Sequence, residues 1–150
     1  MNPTRILPDL QASLLAEDIR QEASGNFILV GIIGYIHVPQ LPAVALKLCV
    51  FNRWTAGIGN FSELVRLIAP DGKTVLRESK TNFALPSPNH HITNGTLFAQ
   101  PRFETAGVYY IEVHVDEVLK IRYPVPVTLV TPPGGQAAAP EQSTTTTTQG

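Results

Sequence analysis

The chain has 150 residues, one domain's worth, with 11 Lys+Arg against 12 Asp+Glu and a formal net charge of -1. No basic field exists to hold nucleic acid or anionic lipid. Charged residues make up 15%, against roughly 25% in ordinary soluble domains, and a single cysteine excludes a disulfide framework or a thiolate metal cluster.

Met1 to Leu10 has one basic residue, two prolines and no apolar core, so it does not read as a signal peptide. The expected location is cytoplasmic, with Cys49 reduced, and residues 1–8 are expected to be flexible. The sequons at Asn60 and Asn94 are then chance matches. Leu10, Leu14, Leu15 and Ile19 fit helical spacing after Asp9. A strand over Ala12 to Ala16 with a helical turn at Glu17 to Glu22 fits as well, and the pattern leaves both open.

No charge occurs from Ala23 to Leu46. Its dense apolar part runs only from Phe27 to Val38, and Pro39 and Pro42 end it, short of the about 20 residues that a spanning helix needs. β-Branched residues and two glycines point to a buried strand over 26–38, followed by another over 43–52. The first is apolar on both faces, which a strand with water on one side should not be. Phe27, Leu29, Ile33, Tyr35 and Phe51 are therefore expected on an outer face. Either a loop or the N-terminal segment covers them, or they form a patch suited to association. Trp54, in the loop read from Trp54 to Phe61, is a further anchor.

Eight prolines fall between residues 39 and 126, mostly between apolar runs. Punctuation at that spacing indicates an all-β sandwich or barrel, with further strands near 10–16, 61–69, 73–84, 94–100, 107–115 and 119–130. Pro70-Asp71-Gly72 marks the clearest hairpin turn. In the last hairpin, Tyr109, Ile111, Val113 and Val115 share a core with Leu119, Ile121, Tyr123, Val125 and Val127 only if an odd number of residues separates the two runs. Glu112 then lies opposite Lys120 or Arg122. Pro124 and Pro126 remove two N–H groups from one side of their strand, so that side should be an edge or a crossover. From Thr131 to Gly150 one charge and no large apolar residue remain, which reads as a disordered tail.

The run Leu14-Leu15-Ala16-Glu17-Asp18-Ile19-Arg20-Gln21-Glu22, then Gly25-Asn26-Phe27-Ile28-Leu29-Val30-Gly31, resembles the opening of a family of small bacterial proteins known only as a domain of unknown function. Pro42, the Pro70-Asp71-Gly72 turn, and Phe103 with Ala106-Gly107-Val108-Tyr109 resemble it too. Asn26 replaces the usual Lys, and Ala16 stands where a Cys is common. The resemblance implies one immunoglobulin-like sandwich of about seven to eight mostly antiparallel strands over residues 9–130, with a strand at 11–16. It brings no catalytic residues.

The four histidines lack ligand spacing and carboxylate partners, so no metal is expected. Cys49 sits mid-strand, where a thiol is usually packed and inert. Glu17, Asp18 and Glu22 form an acidic turn with too few oxygens for calcium. Gly57-Ile58-Gly59-Asn60 precedes a strand, so it fails as a dinucleotide fingerprint. No enzyme activity and no cofactor are expected. The expected function is a protein-interaction module with an unidentified protein partner, one form of it a homodimer through strands 27–38 and 43–52. The alternative is a small-molecule binder with a pocket between the sheets or under the 53–61 and 85–95 loops.

Overall fold

The computed structural model describes residues 4–130. The tail reading for 131–150 lies outside those residues. Eleven strands are described: β1 (Asp9–Gln21), β2 (Phe27–Ile32), β3 (Ile36–Val38), β4 (Ala43–Val44), β5 (Lys47–Thr55), β6 (Gly59–Ile68), β7 (Val75–Leu85), β8 (His91–Ala99), β9 (Arg102–Phe103), β10 (Gly107–Val115) and β11 (Val118–Leu129). They form a four-stranded sheet ordered β2-β1-β5-β8, a five-stranded sheet ordered β3-β11-β10-β6-β7, and the small pair β4-β9.

The fold is thus all-β and sandwich-like, but it is not a single sandwich of seven or eight strands. Two of the extra strands arise because two runs read as continuous are divided between sheets, and the third is the short β9. Residues 26–38 supply β2 to the first sheet and β3 to the second, where β3 pairs parallel to β11. Gly31 makes the break possible, since its φ of 67° lies in the left-handed region that a side chain disfavours. Residues 43–52 divide likewise, with β4 pairing to β9 and β5 joining the first sheet.

The N-terminal segment is one 13-residue strand, which overturns both the helix and the helical turn at 17–22. The strand must be long because it serves two neighbours. Residues 9 to 16 pair with β5, and residues 16 to 21 pair with β2. Its turn comes later, at Glu22 to Asn26, where the Glu22 N–H donates to the Asn26 carbonyl at 2.7 Å. Ahead of it, Ile6 exchanges two backbone hydrogen bonds of 3.0 Å with Ile58.

The Pro70 hairpin forms as read. Gly72 has a φ of 79°, and Asp71 Oδ1 accepts the N–H groups of Lys73 and Thr74 at 2.8 Å each. In the last hairpin Glu112 faces Arg122, the second of the two registers. The odd count is met by a two-residue turn, Asp116-Glu117, plus a bulge between Val113 and His114. Beyond Pro124 and Pro126, β11 finds β3 only from Val127 to Leu129.

Inner faces of both sheets make one core. Leu15, Leu48, Val50, Trp54 and Phe98 meet Phe61, Val65, Leu67, Phe83, Ile111, Val113 and Val125. Tyr109 closes one corner: its ring packs edge-on against Phe103 at 5.0 Å, and its hydroxyl donates to the Thr105 carbonyl at 2.7 Å. A tyrosine bonding back four residues is the corner found in many immunoglobulin-like sandwiches. Tyr109→Phe keeps the ring and leaves that carbonyl unpaired. It is expected to lower the unfolding free energy by about 1 kcal/mol in urea denaturation, the ordinary worth of one such bond.

Candidate functional site

β2 is an edge strand, since β1 covers only one of its sides. Its sequence, FILVGI, contains no charge and no proline. Phe27, Ile28 and Ile32 remain 38%, 42% and 60% exposed. A bare apolar edge of this kind is a template for pairing with another strand, and proteins usually guard it. Of the other edges, β7 and β3 are guarded, whereas β8, HITNGTLFA, likewise has no Asp, Glu, Lys, Arg or proline. β7 carries Arg77, Glu78 and Lys80, and β3 has three residues. The Arg77 guanidinium reaches across to the Ala99 carbonyl of β8 at 2.7 Å.

Beside the β2 edge lies a shallow cavity of about 310 Å³ walled by Phe27, Leu29, Phe51 and the Arg53 stem. The Phe27 and Phe51 rings meet edge to face with centroids 6.0 Å apart. Leu14 is the cross-strand partner of Phe51 and extends the apolar surface onto β1. Three of the six residues expected to form an association surface, Phe27, Leu29 and Phe51, are thus brought together.

The other three go elsewhere. Tyr35 is 68% exposed beyond the sheet crossing, where it stacks on His37 with centroids 6.2 Å apart. It walls a separate cavity of about 360 Å³ with Glu17, Leu46 and Lys47. Ile33 turns inward and packs against the core, its N–H bonded to the Leu15 carbonyl at 2.8 Å. Trp54 is wholly buried within β5, so it is a core residue and no surface anchor. Its loop shrinks to residues 56–58, because β5 runs on to Thr55 and β6 begins at Gly59. The pocket expected there is an open depression of about 600 Å³ lined by Phe61, Asn82, Phe83 and Asp116. Neither Trp54 nor His91 is on its wall. Arg5 stands over Phe61 at 4.7 Å and pairs with Asp116.

Glu17 and Asp18 lie within β1, not in a turn. Asp18 accepts from Lys47 Nζ at 2.9 Å and from Arg20 Nε at 3.0 Å. Those two cations hold its carboxyl down at about 2. Cys49 is buried, and burial pushes its thiol up, away from the nucleophilic thiolate. Among the described residues no three of His, Cys, Asp and Glu gather to hold a metal ion, and no helix is long and apolar enough to cross a membrane.

One polar group was not foreseen in the sequence. Glu63 of β6 is 0% exposed and points into the core. Its Oε2 accepts from Trp54 Nε1 at 2.6 Å and from Asn52 Nδ2 at 3.1 Å. A signal was present: Phe61, Glu63, Val65 and Leu67 share one strand face, so Glu63 stands where the period of two demands a core residue.

Because the folded Asp18 carboxyl lies below its ordinary 3.8, its contribution to stability is complete above that value and is lost as pH falls toward about 2. Asp18→Asn is expected to remove that part of the acid limb, read as a shallower loss of melting temperature over this window.

The family of unknown function DUF6941 matches residues 11–128. No curated protein matches the chain. Among solved structures, the CARDB domain of a Pyrococcus furiosus protein, crystallised in complex with di-metal ions, is similar at 17% identity and a TM-score of 0.42. That alignment covers 85% of this chain and 100% of that one. With its match extending from near the start of β1 nearly to the end of β11, the chain belongs to the family of unknown function DUF6941.

Proposed function

We propose that the protein is a non-enzymatic interaction module that associates with a second copy of itself through the β2 edge and the adjoining Phe27–Leu29–Phe51 surface. The observation that carries this reading is the unguarded edge: six residues without a charge, unpaired along one side. A second strand laid antiparallel against it would satisfy backbone groups that otherwise face water, with alternate side chains supplying specificity. Two β2 strands related by a two-fold axis suit each other, because no like charges are brought together. Phe27, Leu29 and Phe51 would then continue across the axis as one apolar face. The Cys49 thiol, buried and raised, and the scattered histidines support a binding rather than a catalytic role.

Ile28→Lys places a charge on an exposed edge position, the device by which natural edges resist pairing. Sedimentation velocity is expected to show concentration-dependent dimerisation of the wild type and its loss in Ile28→Lys. Stability should change by no more than about 0.5 kcal/mol, as for other surface substitutions. A wild type that stays monomeric at every concentration would overturn the proposal.

A further inference from the structure

Glu63 is a carboxyl group sealed between two sheets, and its cluster holds polar atoms without partners. Trp54 Nε1 and Asn52 Nδ2 both bond Oε2. The second oxygen, Oε1, is buried with no hydrogen-bond partner, and so are Oδ1 of Asn52 and Nδ2 of Asn94, the cross-strand neighbour of Asn52. The two oxygens are both acceptors when the carboxyl is ionised, so each forfeits its hydration without replacement. They belong to side chains already joined, since Asn52 donates through Nδ2 to the other carboxyl oxygen.

No cation faces the carboxyl from the elements packed against it. β5 presents Asn52 and Trp54 inward, whereas Arg53 between them lines the outer Phe27–Phe51 cavity. β8 presents Asn94 and the buried Thr96. Across the ladder, β7 sets Thr81 opposite Glu63, with Lys80 on the other face, and β10 sets Val115 opposite it. Glu112 and His114 of β10 are on the far side, bonded to each other at 3.1 Å. Arg66, on the outer face of β6 itself, is paired with Glu78 at 3.2 Å. On β11 the ionisable group turned inward is the Tyr123 phenol, whose oxygen lies 3.2 Å from Ser13 Oγ. A lone buried charge with no counter-ion is costly, and such a group sheds its charge instead.

We infer that Glu63 is held in the folded core as the neutral carboxylic acid, with its proton on Oε1 directed at Oδ1 of Asn52. One proton then meets both orphan acceptors. The acid and the amide form a cyclic pair, Nδ2–H to Oε2 and Oε1–H to Oδ1, while Trp54 still donates to Oε2. Burial also pushes the Glu63 carboxyl above its ordinary range, against the opposing pull of the donors from Trp54, Asn52 and Asn94. The core therefore carries a proton-binding site, and the fold is linked to pH through it.

The sign follows from linkage. Above the ordinary glutamate value of 4.5 the unfolded chain releases this proton while the folded chain keeps it. Stability therefore falls as pH rises, until the folded carboxyl itself ionises. Gln at this position reproduces the neutral acid: its amide nitrogen donates to Asn52 Oδ1, and its oxygen accepts from Trp54 and Asn52. Glu63→Gln in the full chain is expected to melt several degrees above the wild type at about pH 8, and to lack the wild type's decline between about pH 5 and about pH 8. A variant melting below the wild type at the higher pH, or sharing its pH profile, would overturn the inference. If Glu63→Gln does not fold, carbon-13 NMR of the wild type decides. A Glu63 carboxyl resonance at the protonated position at neutral pH supports the site, and one at the ionised position refutes it.

Discussion

The change of sheet between Ile33 and Tyr35 is the constraint on which the architecture depends. The chain arrives as β2 on the edge of one sheet and leaves as β3 on the edge of the other. Gly31 bends the strand in the left-handed region, and a Cβ there would stand 2.6 Å from the Glu17 carboxyl. Ile33 is then pinned to β1 by its N–H and packs into the core. This crossing ties the two sheets together at one side and opens the cavity under Tyr35. It also leaves β2 short, apolar and unpaired along its outer side. The surface assigned to association is in this sense a by-product of how the sandwich is closed.

At the heart of the sandwich the sheets meet through aromatic packing and one polar clasp. Trp54 stacks on Phe83 at 5.5 Å, and Phe83 packs on Phe61 at the same distance. Each fully buried large side chain contributes on the order of 1.5–3 kcal/mol, so apolar packing sets the stability of the fold. The Trp54–Glu63 bond is smaller in net energy, but its penalty if broken is large because neither partner can reach water. It also joins the two sheets, since Trp54 belongs to β5 of one and Glu63 to β6 of the other. The same buried position makes the clasp sensitive to protonation, whereas Asp18, half-buried and flanked by Lys47 and Arg20, responds to pH in the opposite sense.

Much of the fold was legible from the sequence because turn chemistry is local. Pro70-Asp71-Gly72 specified its hairpin, and strict alternation marked 107–115 to the residue. The resemblance at Leu14–Gly31 selected strand over helix where periodicity alone did not, although the strand runs on through Asp18 to Gln21. What failed was non-local. Nothing within residues 26–38 says that its two halves join different sheets, because both halves are apolar and extended in either case. That double duty also explains why both faces looked greasy: Ile33 serves the core, while Phe27 and Leu29 serve the outer surface. Trp54 was misplaced because the glycines after it suggested a longer loop. Glu63 was overlooked because a charged residue is read as outward by habit, although its alternation with Phe61 and Val65 places it inward.

The association surface is most directly tested at the backbone of β2. Hydrogen–deuterium exchange of the Phe27–Ile32 amides, followed by mass spectrometry across a dilution series, reads the pairing itself. Exchange there is expected to slow as concentration rises, while β7, an edge guarded by Arg77, Glu78 and Lys80, stays unchanged. Exchange of the β2 amides at one rate at every concentration would contradict self-pairing through this edge.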